Sequence, residues 1–430
     1  METQNRAQWT WWQKICFRFL FVYFTLYLLA TPWLQFTGLT ALNKLQTSVI
    51  DWFVHAFNDH FLHFRKELVP MNGSGDTSYA WTLLVLELFV ALLASLVWSV
   101  LDFKKHSYYR LDYLLRTGLR YTISYFAISY GIIKIFLIQM LFPMLSQMAT
   151  PLGEILPMRL SWLFIGYSDP YQFFSGALEL TAGLLLLFRR TVTLGACLAF
   201  AIFLNVMMLN LCYDIPVKIF SMHLTAMCAY LLAIEMPRLY NFFIRHKVDL
   251  GNPLYHFASK RKSVKVGRIV LKCAFFLCTA AMLFDTFNYY QEATSPKKHF
   301  TYGLFKVERL IVNKDTVPVL ANDTLVWKDI IFEKDEMASV GSRDTIFRPR
   351  YGRGYFYYRQ DVKKQVLHAY KFNKNDSIPI GDLHYSWSGK DTLRLKTKVR
   401  NDSVFVLLKR DKRQFPLEKR EFHWLSESNR

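Results

Sequence analysis

The chain has 430 residues, 52% hydrophobic and 17% aromatic, with a formal net charge of +20 from 53 Lys and Arg against 33 Asp and Glu. So high an apolar fraction beside so large a charge needs the two to be segregated along the chain, which excludes a soluble enzyme, a disordered protein and a disulfide scaffold. They are segregated: mostly apolar stretches of roughly 20 residues fill the first two-thirds, and positions 289–430 are polar and almost free of such runs.

A bilayer core about 30 Å thick needs roughly 20 apolar residues per helix. The sequence predicts seven transmembrane helices, over 19–36, 81–101, 121–143, 171–188, 191–212, 217–235 and 269–289. The first begins FLFVYFTLYLLA and runs into Pro32, which terminates or kinks a helix. It lacks a short apolar region with a small-residue cleavage site, so it reads as an anchor rather than a removed signal peptide.

Lys and Arg on alternate sides set orientation. One side carries 18, including Arg6, Lys104, Arg116, Arg120, Arg189 and Arg190, against five on the other, Lys44, Arg65, Lys66, Arg159 and Lys218. The N-terminus is therefore expected in the cytoplasm and the C-terminal domain outside. The basic run RHKVDLGNPLYHFASKRKSVKVGR (245–268) fits a cytoplasmic loop that attracts anionic lipid, so no nucleic-acid partner is expected.

Between the first two spans, TSVIDWFVHAFNDHFLHFRKE (47–67) sets Trp52, Phe53, Phe57, Phe61 and Phe64 on one broad face, the pattern of an amphipathic helix lying on the outer membrane surface. His55, Asp59, His60 and His63 share this segment at ligand-like spacing, but no second external cluster completes a site, so no metal is expected. The six cysteines contain no Cys-x-x-Cys and read as apolar filler.

Ionisable residues within spans mark functional sites or buried pairs. Glu87, Lys134, Glu179, Asn205 and His223 fall on five different helices, all at a depth of roughly 9–14 Å below the outer boundary by helical rise. Asn210, Asp214 and Lys218 continue the polar line to the outer surface. Two readings stand side by side: a Lys134–carboxylate pair that simply holds the bundle together, and an outer-leaflet polar pocket that grips a quinone or another polar-headed lipid.

From Ser295 the pattern becomes alternating runs, FKVERLIV (305–312), YFYYR (355–359), VLHAYKF (366–372) and VFVLLKR (404–410). An Asp followed by Ser or Thr recurs before strand-like runs at 315, 323, 344, 376, 391 and 402, since Asp closes a turn and the hydroxyl residue suits the strand that follows. The spacing suits an all-β domain of about eight strands, a barrel or a sandwich. Positions 291–430 carry 28 basic and 18 acidic residues, a surplus that reads either as a solvated surface or as a site that docks onto anionic lipid, cell-wall polymer or an acidic partner protein.

The runs SYGIIKIFLIQ (129–139) and MRLSWLFIGYSDPYQFFSGALELTAGLLLLFRRTVTLGACLAFAIFLNVMMLNLCYDIPVK (158–218) resemble the DoxX-like membrane proteins of the DoxX/DoxD superfamily, over roughly 120–235. NGSGDTSYAW (72–81) and REFHWLSESNR (420–430) resemble longer members found in Bacteroidota, which add flanking helices and an outer β domain. The resemblance implies a multi-pass helical bundle of the bacterial plasma (inner) membrane and, in some members, a subunit of a quinone-linked oxidoreductase or oxidative-stress complex. It draws interest to Lys134, Glu179, Asn210 and Asp214. A weaker likeness, to the transmembrane part of vitamin-K-dependent carboxylases, lies in the order of helices and outer β domain.

The expected plan is thus N-terminal transmembrane helices with the outer amphipathic helix (1–118), a four-helix core (119–237), a basic cytoplasmic loop (238–268), a last span (269–290) and an extracytoplasmic β domain (291–430). Two functions follow: binding of a quinone-like lipid for a redox partner complex, or non-enzymatic envelope assembly through the basic β domain.

Overall fold

The structure is a computed structural model that describes residues 8–31, 40–72, 74–247, 261–317, 326–372, 378–419, 423–425 and 427. The middle of the basic 245–268 run and the Asp turns at 323 and 376 lie outside these residues. The chain divides into two compact units, one of Met1–Gln139 with Pro170–Ala293, the other of Met140–Asp169 with Thr294–Arg430.

The first unit is helical. Its elements are α1 (Trp11–Ala30), α2 (Thr40–Phe57), α3 (Ser78–Leu101) and α4 (Tyr109–Ile135). In the second unit lie α5 (Leu145–Met148) and α6 (Pro157–Tyr167); α7 (Asp169–Leu187), α8 (Val192–Cys212), α9 (Lys218–Ala233), α10 (Met236–Phe243) and α11 (Lys262–Thr294) return to the first. A helix occupies each of the seven apolar stretches, with shifted ends. Among the described residues, α1, α3, α8 and α11 are long and apolar enough to cross a membrane, and α9 with α10, bent by 69°, make a fifth if taken as one span.

Local chemistry sets the boundaries. Thr10 and Gln13 form a capping box that starts α1 well before position 19. α4 stops at Ile135 rather than 143, because Leu137 adopts a left-handed conformation (φ 58°) and Pro143 cannot continue the helical ladder. The amphipathic segment forms α2 and one π-helical turn, Asn58–Leu62, ended by His63 at φ 49°. Trp52, Phe53, Phe61 and Phe64 are exposed and Phe57 is buried. Arg18, another of the 18 cations on the basic side, is buried: it donates to the Tyr108 hydroxyl (2.7 and 3.0 Å), Ser99 Oγ (3.0 Å) and the Asp102 carbonyl (2.9 Å). Phe17, Phe24, Leu119, Ile123, Leu186, Phe203 and Met227 form the core of this unit.

Among the described residues the second unit holds ten strands and a short terminal helix: β1 (Gly303–Val312), β2 (Asp315–Val317), β3 (Asp329–Phe332), β4 (Met337–Val340), β5 (Arg348–Arg350), β6 (Arg353–Asp361), β7 (Val366–Tyr370), β8 (Pro379–Ser388), β9 (Thr392–Val399), β10 (Asp402–Arg410) and α12 (Pro416–Lys419). Eight of the strands run antiparallel in the order β10-β9-β8-β7-β6-β4-β3-β1, and β1 pairs back to β10, so the sheet closes into an eight-stranded barrel. β2 and β5 are short additions to β1 and β6. Barrels of eight strands are just wide enough for side chains to fill, and here Phe305, Phe332, Phe356, Tyr358, Leu393 and Val406 do so. A void of about 10 Å³ beside Trp327 and Phe347 is too small for a ligand.

Two features depart from the sequence expectation. The 344–347 run is a turn, with Asp344 Oδ1 accepting the Ile346 N–H at 3.0 Å, and not a strand. Residues Met140–Asp169, expected inside the four-helix core, pack with the barrel instead. The Glu333 carboxylate accepts the N–H groups of Leu145 (3.2 Å) and Ser146 (2.8 Å), and the Tyr355 hydroxyl donates to Ser146 Oγ at 3.0 Å. Arg159 lies over the Tyr351 ring at 4.5 Å.

Candidate functional site

The eight candidate residues do not form one layer. They separate into a buried seam, a turn cluster and one outward-facing residue.

The seam begins with glycine. A Cβ on Gly131 of α4 would come within 2.6 Å of the Leu180 nitrogen, and one on Gly176 of α7 within 2.6 Å of the Gly131 carbonyl, so the two backbones touch. Lys134 and Glu179 each lie three residues beyond one of these glycines and hence on the same helix faces. They form a buried ion pair, with Glu179 only 1% exposed. Its Oε2 has no hydrogen-bond partner among the described residues, and neither has Oε1 of the buried Glu87 on α3.

His223 on α9 is held on two sides. Its Nδ1 donates to the Ile219 carbonyl at 2.7 Å, which leaves Nε2 to accept from the Tyr23 hydroxyl at 2.7 Å. The Tyr27 ring stacks on the imidazole at 3.8 Å and 8°. Tyr27 lies within electrostatic reach of Glu87, Tyr23 and Tyr130, and Tyr130 within reach of Glu179. Direct contact joins His223 with Tyr23 and Tyr27, and Lys134 with Glu179; Glu87 and Tyr130 are related to them by electrostatic reach alone, and the seam comprises these seven residues. Sequence reasoning missed the tyrosines, which look like aromatic filler in an apolar run; the four-residue spacing of Tyr23 and Tyr27, which puts both on one face of α1, was the available signal.

The turn between α8 and α9 gathers Asn210, Asp214 and Lys218. Asn210 Nδ2 donates to the Val217 carbonyl at 3.4 Å, and Lys218 Nζ pairs with Asp214 at 2.7 Å. The Asp214 side chain is 83% exposed. Asp76, also missed, organises this turn: its carboxylate accepts the N–H groups of Lys218 (2.8 Å) and Ile219 (3.1 Å), capping α9, and lies 3.6 Å from Lys218 Nζ.

Asn205 is exposed on α8, a correction to the expected five-helix layer. It precedes the buried Asn210 by five residues, which separates the two by about 140° around a helix; both cannot face the interior.

What the seam offers chemically is a fixed imidazole with a tyrosine donor, a lysine–glutamate pair, and two carboxylate oxygens free to accept from a bound hydroxyl or to carry a proton. No cluster of three or more His, Cys, Asp or Glu suited to a metal occurs among the described residues.

No protein-family model and no solved structure matches the chain. The uncharacterized protein YwoB of Bacillus subtilis (strain 168) is 37% identical over 90 residues, 21% of this chain; the chain thus spans 58% of that relative's length.

Proposed function

We propose that this protein is a DoxX-like multi-pass protein of the bacterial plasma membrane, whose buried polar seam holds the head of a quinone-like lipid for a redox-linked partner complex. In this reading the N-terminus is cytoplasmic, the barrel is extracytoplasmic and the seam lies in the outer half of the bilayer. Supporting the membrane assignment are the apolar helices and the inside-positive count of Lys and Arg.

The observation that carries the ligand reading is the pair of buried, unpartnered oxygens, Glu87 Oε1 and Glu179 Oε2, in one seam with Tyr27 and Tyr130. A buried acceptor without a donor is costly, and a quinol hydroxyl supplies that donor while His223 and Tyr23 are placed to pass a proton. The test is lipid analysis of the purified protein. A quinone co-purifying with the wild type and lost from Glu87→Gln and Glu179→Gln supports the reading; equal quinone content in all three overturns it.

A second reading, non-enzymatic envelope assembly through the barrel, is favoured by how the barrel's acidic residues are used. Asp329, Asp344, Asp391 and Asp411 all pair with Arg or Lys, so the basic surplus of this domain is left for a partner. Capture of an anionic envelope polymer by the full-length protein, abolished at high salt, separates it from the first reading.

A further inference from the structure

The helical unit contains a second polar feature, unrelated to the seam. A cavity of about 140 Å³ lies among α4, α8, α9 and the turn that precedes α8, lined by Tyr113, Arg116, Thr117, Arg120, Arg189 and Glu235 among others. Three arginines line it. Arg116 is paired through Nη2 with Asp112 at 2.7 Å, and Asp112 also accepts from the Tyr230 hydroxyl at 2.9 Å. Glu235 has Arg238 at 3.6 Å. Arg120 and Arg189 have no carboxylate partner among the described residues, so the lining keeps a cationic surplus. Arg189 is aimed by the Tyr113 hydroxyl, to which Nη2 donates at 2.7 Å, while Arg120 lies over the Tyr121 ring at 4.9 Å.

Two atoms mark what is missing. The Nε atoms of Arg116 and Arg120 are buried and find no hydrogen-bond partner among the described residues. Arginine's planar fork matches a tetrahedral oxyanion, and a buried donor left unpaired is costly. The volume falls below the roughly 300–1,000 Å³ of small-molecule pockets, so it suits a single charged headgroup rather than a nucleotide or a drug-sized ligand.

We infer that this cavity binds a phosphate-bearing anion, held by Arg116, Arg120 and Arg189. Two sources share that chemistry, the phosphodiester of an anionic phospholipid and free inorganic phosphate. The lipid source rests on the reading of these helices as membrane spans, with the cavity at their cytoplasmic ends; the phosphate source does not. The quinone reading is independent of both.

The test uses the full-length protein in neutral detergent, with native mass spectrometry against an equimolar mixture of phosphatidylglycerol and phosphatidylcholine, and a separate titration with inorganic phosphate. Wild type is expected to retain phosphatidylglycerol over phosphatidylcholine, and Arg120→Gln/Arg189→Gln to lose that retention by about tenfold or more. A control pair on the barrel, Lys409→Gln/Lys412→Gln, keeps it. Phosphate binding that depends on the same arginines, without lipid retention, identifies the soluble source. Equal binding of both probes by wild type and double variant, or binding of neither, overturns the proposal. Should the double variant fail to fold, Arg189→Gln alone, at an exposed position, is expected to weaken binding several-fold.

Discussion

Glu333 and Ser146 stand 187 residues apart in the chain, and the Glu333 carboxylate accepts the Ser146 backbone N–H at 2.8 Å. With the Leu145 N–H at 3.2 Å, this one side chain satisfies two of the orphan donors at the start of α5. The segment between α4 and α7 is thereby fastened to the barrel, within a unit whose other members begin at Thr294. Glu333→Ala leaves both donors buried and unpaired and is expected to cost about 1–3 kcal/mol. Limited proteolysis checks this: cleavage within 140–169 speeds up in Glu333→Ala and less so in Glu333→Gln, which keeps one acceptor. Unchanged cleavage in both variants would remove the role assigned to this residue.

The glycine contact predicts intolerance of a single methyl group. Gly176→Ala puts a Cβ within 2.6 Å of the Gly131 carbonyl and 2.7 Å of Lys134 Cβ, and backbone on one side leaves no room to yield. An expected loss of about 1–3 kcal/mol reads out as a lower melting temperature of the detergent-solubilised protein, whereas alanine at Gly153, whose surroundings are open, leaves it unchanged.

The Lys134–Glu179 pair should behave as a unit. Removing one member strands the other as a buried charge, at a cost of about 3–5 kcal/mol, while replacing both by apolar residues is far milder. Lys134→Met is therefore expected to be more damaging than Lys134→Met/Glu179→Leu. A double-mutant cycle on thermal stability measures the coupling, and strictly additive losses contradict it.

Alkaline pH should loosen the barrel unit. Burial, reinforced at Tyr302 by Glu418 and at Tyr358 by Asp335, pushes both phenols up to about 12 from an ordinary 10.0. The folded state thus holds protons that the unfolded chain releases. This contribution to stability is complete below pH 10 and disappears as the pH climbs towards 12. Unfolding followed by tryptophan fluorescence across that window should show the loss, with a smaller one in Tyr358→Phe. A flat profile in the wild type rules the effect out.

The helices were legible in the sequence because each buries or presents an apolar run many residues long, β9 and β10 because their side chains alternate, and β6 and β7 because they carry aromatic and β-branched residues such as Tyr355, Phe356, Val366 and Tyr370. β3 and β4 were not: Ile330, Ile331 and Phe332, and all four residues of Met337–Val340, are buried, so no period of two is written in them. Within the site, depth along a helix was readable but direction around it was not, and for that reason Asn205 was grouped with Asn210 although they face apart. Tyr23, Tyr27 and Asp76 were missed for another reason. Their roles come from partners about 140 to 200 positions away, a relation that local pattern does not encode.

Pairing of β1 with β10 has a consequence for how the barrel meets other molecules. An open sheet offers a free row of backbone donors and acceptors on which a foreign strand can grow. Around this closed circuit of eight strands those groups are already engaged, so among the described residues an extended peptide finds only the short outer edges of β2 and β5 to join. Selectivity must then be written in side chains and connecting loops, which leaves surface composition free to vary while the closed ladder stays intact.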